Sequence, residues 1–265
     1  MNFFNPYAPL SDGKRRQIGI AAFITIIGLW ELIAGFDIVD SNKLPSPMEV
    51  IHAFAYLVWS GGQSMLLEAT LASLTRIGLA ALLVIFIGIP IGILLGASPR
   101  LNAFFSPLID PFRSAPVVAL LPLFVMWFGI GEQMKITFLF MGAVVYMIPL
   151  VRDAMLSVPY RYWEACRDLG GTQIECILRG VLPIAAPRIF DAMIVSTSIL
   201  WTYITVAEYV NADNGLGQLI QNARRFSAMD QVFAGIIVII ALALITVTTL
   251  SWIKRRVYFW EGSQV

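Results

Sequence analysis

Apolar side chains gather into six long runs, at about residues 17–36, 65–96, 114–131, 134–151, 185–209 and 232–253, with polar connections between them. A helix needs about 20 apolar residues to cross the hydrocarbon of a bilayer, so each run is predicted to be a membrane-spanning helix. Only Gly131-Glu132-Gln133 separates the third run from the fourth. That predicts a tight hairpin turned at Gly129 and Gly131, with Trp127 near the interface that indole rings favour. The second run is too long for one straight crossing. Pro90 bends it, and Gly88, Gly92 and Gly96 recur every four residues on one face, which lets another helix approach closely. This stripe reads as packing.

The polar connections are less uniform. The stretch "DIVDSNKLPSPMEVIHAF" is turn-rich, and its two prolines disfavour helix until about Met48. His52, the only histidine, falls just beyond in a predicted interfacial helix and is read as structural. The largest polar interruption, "YRYWEACRDLGGTQIECILRGVLP" (160–183), carries helix signals of its own. Pro159 suits a first turn, and Tyr162, Ala165, Cys166 and Leu169 form an apolar stripe with Arg161, Glu164 and Asp168 on other faces. Gly170-Gly171 ends that helix. Thr172 and Glu175 are spaced as a capping box that starts a second helix, whose stripe is Ile174, Ile177, Leu178 and Val181. Two short amphipathic helices meeting at a glycine corner are the result. Each is too short to be stable alone, so a lipid surface or a partner protein must cover the stripes, and the residues themselves leave both readings open.

Composition turns the pattern into a membrane protein. Hydrophobic residues make up 58% and charged residues 13%, where a soluble domain carries about a quarter charged; mean hydropathy is +0.78. The fold class is therefore all-α integral membrane, with six transmembrane helices. A net charge of +1 excludes a nucleic-acid partner. The first apolar run, preceded by Lys14, Arg15 and Arg16, is too long for a signal-peptide core and is expected to stay as an anchor.

Basic residues set the orientation. With the N-terminus inside, the inner side holds Lys14, Arg15, Arg16, Arg100, Arg113, Arg152, Arg161, Arg167, Arg179, Lys254, Arg255 and Arg256, against Lys43, Lys135, Arg224 and Arg225 outside. Both termini and the 160–183 insert are thus expected in the cytoplasm of a multi-pass bacterial inner-membrane protein. The expected organisation is a tail, first helix and outer linker over 1–63, a transmembrane core over 64–253 with a cytoplasmic loop at 152–183, and a cytoplasmic tail over 254–265.

Chemistry of an enzymatic kind is missing from the sequence. No G-x-x-x-x-G-K-[ST] phosphate loop occurs, and a single histidine excludes the usual nucleophile–base and metal constellations. No cofactor is expected on this chain. Cys166 and Cys176, without further ligands nearby, are read as free, reduced thiols. If the chain moves a solute uphill, its energy source lies on another chain.

Polar groups inside the hydrocarbon are costly and hence candidate functional residues. Arg76 lies within the second run, on a face with Ala69, Ala72 and Ser73. It has three readings: an attractor for an anion in the pore, an internal partner of Glu208, or a side chain reaching the outer headgroups. Glu208, Gly215 and Gly217 begin an outer segment that reads either as a gate or as an interfacial packing helix. Arg224 and Arg225 beyond it make a weak funnel for anions.

The insert resembles the cytoplasmic loop of ABC importer permeases, written E-A-A, three residues, G, nine residues, I, one residue, L-P. Glu164-Ala165-Cys166, Gly170 and Leu182-Pro183 match it, while Cys166 replaces the third alanine and Gly180 a branched residue. Further blocks, "LPSPMEV", "TLASLTRIGLA", "GIPIGILLGASPRLNAFFSPLIDPFRSAPVVALLPLFVMWFGIGE" and "VAEYVNADNGLGQLI", are similar to the nitrate, sulfonate, taurine and bicarbonate type, from about residue 44 to 253. The resemblance implies a MetI-like type I permease core that forms a pore for a small anionic solute and performs no chemistry itself. It implies coupling to a cytoplasmic ABC ATPase through Glu164, Ala165, Cys166, Asp168, Gly170, Leu182 and Pro183. It also implies an extracytoplasmic solute-binding protein, a second permease copy (a homodimer) and surrounding lipid as partners. The competing class, an ion-coupled secondary carrier acting alone, is disfavoured because carboxylates are scarce in mid-membrane.

Overall fold

The computed structural model describes residues 11–36, 39–40, 43–59, 64–210 and 213–260. The expected terminal tails (1–10 and 261–265), parts of the outer linker, and residues 60–63 and 211–212 lie outside the described residues. Every regular element among the described residues is helical. Five helices are long and apolar enough to cross a membrane: α1 (Gly13–Gly35), α3 (Met65–Ala97), α6 (Glu132–Leu156), α8 (Gln173–Tyr209) and α10 (Met229–Val257). The shorter α2 (Pro47–Trp59), α7 (Tyr160–Asp168) and α9 (Leu216–Arg225) lie between them. The third apolar run is not one straight helix. It is the second half of a bent pair, α4 (Pro99–Arg113) and α5 (Val117–Phe128), turned through 91°. Pro111 and Pro116 flank the bend, and neither has an N–H to continue a helical ladder. Six crossings result when that pair is counted as one.

The core is built on α6. In its most apolar window 61% of residues are buried, against 6% for α1, so α6 is the axis and α1 a peripheral anchor. The glycine stripe explains one side of the packing. A Cβ on Gly88, Gly92 or Gly96 would lie within 2.9 Å of Met147, Val151 or Met155 respectively. Those three residues are themselves four apart on α6, so the two helices meet ridge to stripe. In α3 the ladder widens into a π turn at Val84–Gly88 just ahead of Pro90, which absorbs the missing proline N–H without ending the helix. On the opposite side, α8 packs along α6, and Tyr203 covers Gly142.

Peripheral contacts are few but specific. The Trp30 indole N–H donates to the Pro45 carbonyl at 2.9 Å, and its ring lies 5.8 Å from that of Phe233. These contacts hold α1 beside α2 and α10. The helix over 47–59 starts one residue before the expected boundary, and His52 is on its exposed face. Ile24, Phe86, Ile240 and many other large apolar side chains face outward, as required where lipid tails replace water.

Candidate functional site

Two polar constructions stand out, one at each end of the α6 axis. The first is the elbow between α6 and α8. The α6 helix continues through Arg152 to Leu156, so the expected loop 152–183 starts inside a helix. Arg152 there is tied down by Asp110 and Asp153. Helix α7 then runs over Tyr160–Asp168 with Pro159 at its cap. Gly170 adopts φ +82°, a backbone that glycine accepts without steric penalty. The Gly170 N–H donates to the Arg167 carbonyl at 2.9 Å, and that of Gly171 to the Cys166 carbonyl at 3.0 Å. The capping box forms as expected. The Glu175 N–H donates to Thr172 Oγ1 at 3.3 Å, and the Thr172 N–H to Glu175 Oε2 at 2.9 Å.

The expectation of free thiols is corrected here. Cys166 and Cys176 are disulfide-bonded. The glycine corner folds the two helices back on one another and brings their Cα atoms to 5.5 Å, inside the range a bridge needs. A π stretch, Cys176–Val181, contains Gly180 and leads into the rest of α8, so the position that lacks a branched residue lies in a locally widened ladder.

The apolar stripes of the elbow are covered only in part, with Cys166, Ile177 and Val181 half-buried. Leu169 is 90% exposed, with Ile174 and Leu178 also open. Glu164, Ala165, Asp168, Gly170 and Pro183 are exposed too, while Cys166 and Leu182 are half-buried. Neither Glu164 nor Asp168 has an ion-pair partner among the described residues. The arrangement is a capped knob that presents apolar and acidic groups outward.

The second construction is an ion cluster at the other end. Arg76 donates to Glu132 through Nε (2.6 Å) and Nη2 (2.7 Å), and to Glu208 Oε1 through Nη1 (2.6 Å). It also donates to the Asn214 carbonyl (2.8 Å) and side-chain oxygen (2.7 Å). Those five bonds use all the donors a guanidinium has. Glu208 accepts further from Ser73 Oγ at 2.8 Å and from the Gly217 N–H at 2.7 Å. A Cβ at Gly215 would stand 2.5 Å from the Glu208 carboxylate, and one at Gly217 2.8 Å from Glu208 Cβ.

Of the three readings of Arg76, the internal partnership with Glu208 is the one observed. The four residues singled out in the sequence, Arg76, Glu208, Gly215 and Gly217, thus meet at one place. Ser73, placed on the Arg76 face from the sequence, belongs with them, as do Glu132, Lys135 and Asn214, which carry no sequence signal for it. Lys135, counted among the outer-loop cations, is instead 2% exposed and donates to Glu132 at 3.0 Å. Two cations and two carboxylates balance, and Arg76 and Glu208 are both almost fully buried. The cluster fastens α9 to α3, α6 and α8. Beside it a cleft of about 500 Å³ opens among Glu68, Asp213, Asn214, Gln218 and Gln231.

A bundle of apolar helices carries a polar lock at one end and a partly uncovered elbow at the other, the build of a multi-pass membrane protein. Residues 88–258 match the family described as binding-protein-dependent transport system inner membrane component, and the chain belongs to that family. It is 32% identical to the taurine transport system permease protein TauC of Escherichia coli (strain K12), over 96% of this chain and 92% of that one. It is 31% identical to the putative aliphatic sulfonates transport permease protein SsuC of Bacillus subtilis (strain 168), over 92% and 88%. In fold it is similar to the inward-facing MetNI methionine ABC transporter, with a TM-score of 0.65 and 23% identity over 73% of this chain and 96% of that one. The protein is the permease component of an ABC importer, of the nitrate, sulfonate, taurine and bicarbonate type expected from its motifs. Such permeases work with an ATPase and a binding protein, and the reading as a lone ion-coupled carrier falls.

Proposed function

We propose that two copies of this chain enclose the pathway of an importer for a small anion, of the sulfonate class that the names of its two relatives indicate. Both termini and the elbow face the cell interior, and a separate ATPase receives the elbow there. The observation that carries this reading is the exposure of Leu169, Ile174 and Leu178 around a corner closed by the Gly170 and Gly171 hydrogen bonds and the Thr172–Glu175 capping box. A short helix in a partner's groove is a common mode of recognition, and a capped corner moves as a unit when pushed. ATP binding and release on the partner shift α7, and the spans rock between outward-open and inward-open arrangements. Glu164, Ala165, Cys166, Asp168 and Gly170 form the contact, with Leu182 and Pro183 carrying motion into α8. The chain itself needs no cofactor.

At the outer end the Arg76–Glu208 lock holds α9, which we assign as part of the gate. Arg76 and Lys135 are deeply buried cations, and both are matched by carboxylates. Neither Arg76 nor Lys135 is therefore left over to hold an anion in the pathway.

The test is reconstitution of permease, ATPase and solute-binding protein in liposomes. Uptake of taurine or an alkanesulfonate is expected only with ATP on the elbow's side. Uptake driven by an ion gradient without ATP, or an elbow labelled from outside intact cells, overturns the proposal.

A further inference from the structure

Beyond the elbow, α8 runs beside the end of α10. Lys254 donates to Asp191 at 2.8 Å. The Phe190 ring lies 6.0 Å from that of Tyr258, and Tyr258 lies 5.4 Å from Trp260. Trp260 also borders a cavity of about 550 Å³ at the root of the elbow, together with Ser157, Arg161, Tyr162, Pro187 and Arg188. That volume is in the range of small-ligand pockets, about 300–1,000 Å³.

The cavity is positively charged. Arg161 on α7 and Arg188 on α8 are exposed, and neither has an ion-pair partner among the described residues. Arg161 finds only Tyr162, its guanidinium 5.1 Å from the ring and Nη2 3.4 Å from the hydroxyl. No carboxylate borders the cavity among the described residues. By contrast, Arg76 and Arg152 spend their donors on acids of this chain. Two guanidiniums on different helices, both open to one cavity, suit the planar, multidentate recognition of a phosphate.

The depth of the cavity in the membrane narrows the choice of ligand. Trp252, Tyr258 and Trp260 surround the basic end of α10, Lys254–Arg256, and such aromatic residues favour the level of the headgroups. The Lys254–Asp191 pair brings α8 to that same level, and Arg188 is one turn from Asp191. Only Ser157, Val158 and Pro159 separate α6 from α7, which keeps Arg161 near the membrane surface. The contact assigned to the ATPase begins beyond it, at Glu164. Basic pockets between spans on the cytoplasmic side are places where anionic headgroups bind.

We propose that this cavity is a binding site for the phosphate of an anionic glycerophospholipid of the inner leaflet. Arg161 and Arg188 hold the phosphate, while Pro187 and Trp260 offer apolar surface to the glycerol. The choice of leaflet rests on the inward orientation given above. Free inorganic phosphate has the same chemistry, and the level of the cavity favours the lipid.

The experiment uses the assembled permease–ATPase complex in a neutral detergent. Native mass spectrometry follows titrations with phosphatidylglycerol and with phosphatidylcholine of the same acyl chains. One phosphatidylglycerol per permease chain is expected to bind severalfold more tightly than phosphatidylcholine. Both side chains are exposed, so Arg161→Gln and Arg188→Gln should keep the fold and lose the preference. Arg100→Gln, which removes a charge on the same side outside the cavity, should keep it. A photoreactive phosphatidylglycerol is expected to attach within residues 157–162, 184–188 or 252–260. Equal affinity for the two lipids overturns the site, as does attachment elsewhere. An equal loss in Arg100→Gln and Arg188→Gln would mean that a diffuse positive surface attracts the lipid. Displacement of phosphatidylglycerol by inorganic phosphate, but not by chloride at equal ionic strength, would make this a site for the free anion. Lipid binding is read without transport, so its failure leaves the coupling role of the elbow standing, and failure of ATP-driven uptake leaves the lipid adducts in place.

Discussion

Gly92 and Val151 touch so closely that a methyl group on Gly92 would lie 2.6 Å from Val151 Cβ and 2.8 Å from the Ile148 carbonyl oxygen. Backbone cannot yield there as a flexible side chain does. Gly92→Ala is therefore expected to destabilise the detergent-solubilised protein by about 1–3 kcal/mol, the usual cost of overpacking. Gly78→Ala on the same helix meets nothing within 4 Å and should leave stability unchanged or raise it by up to about 1 kcal/mol, since alanine is the better helix former. Equal effects at both positions would show that helix propensity, and not the contact with α6, decides the outcome.

Removing one side of the Arg76–Glu208 lock leaves a buried charge without its partner. Arg76→Met is expected to cost about 3–5 kcal/mol, and the double variant Arg76→Met, Glu208→Met to cost less than either single change. Denaturant unfolding of the four proteins gives the coupling directly. Additive losses would mean that the two residues contribute independently.

Leu169 touches little of its own chain, so Leu169→Asp should shift thermal stability by no more than about 0.5 kcal/mol. The same change places a charge on the surface proposed to meet the ATPase and is expected to abolish co-purification with it. Loss of the fold without selective loss of the partner would remove Leu169 from the contact.

The capping box offers a local test. Thr172→Ala removes an acceptor for the Glu175 N–H and should weaken the start of α8 by about 1 kcal/mol. Hydrogen exchange over residues 173–176 is expected to speed up, with exchange in α6 unchanged.

Arg224 and Arg225 occupy the last turn of α9, where cations also favour the helix C-terminus. Neutralising both is expected to slow anion uptake at low salt and to have little effect at high salt, since screening shortens the reach of surface charge. Uptake slowed equally at both ionic strengths would dismiss the funnel.

The architecture was legible because lipid imposes simple rules. Run length located α1, α3, α6 and α10 to within about five residues, and the four-residue glycine spacing anticipated the α3–α6 contact. The start of α8 was missed, because the second elbow helix, expected to be separate, continues from Gln173 straight into the span. The Thr172–Glu175 box was readable for the same reason, since its partners are three residues apart. The bend between α4 and α5 was less visible, because hydropathy measures how apolar a stretch is and not its direction. Of the contacts across long sequence separations, only the Arg76–Glu208 pair stood among the readings of the sequence. Nothing near Glu132 announces Arg76, 56 positions away, and a buried Lys135 looks in sequence like an ordinary residue at a helix mouth. The cysteine pair escaped for a subtler reason: the ten-residue spacing implies proximity only once Gly170 and Gly171 turn the chain back.

Helix α6 is gripped at both extremities, by Arg76 through Glu132 at one and by Asp110 through Arg152 at the other. At 1.5 Å per residue its 25 residues reach about 37 Å, most of the thickness of a membrane with its headgroups. A spar pinned in this way resists flexing along its length, so a tilt begun at the elbow arrives at the far lock as a tilt. The two ends of the molecule are then parts of one rigid lever, and a change that loosens either grip should blunt the stroke felt at the opposite face.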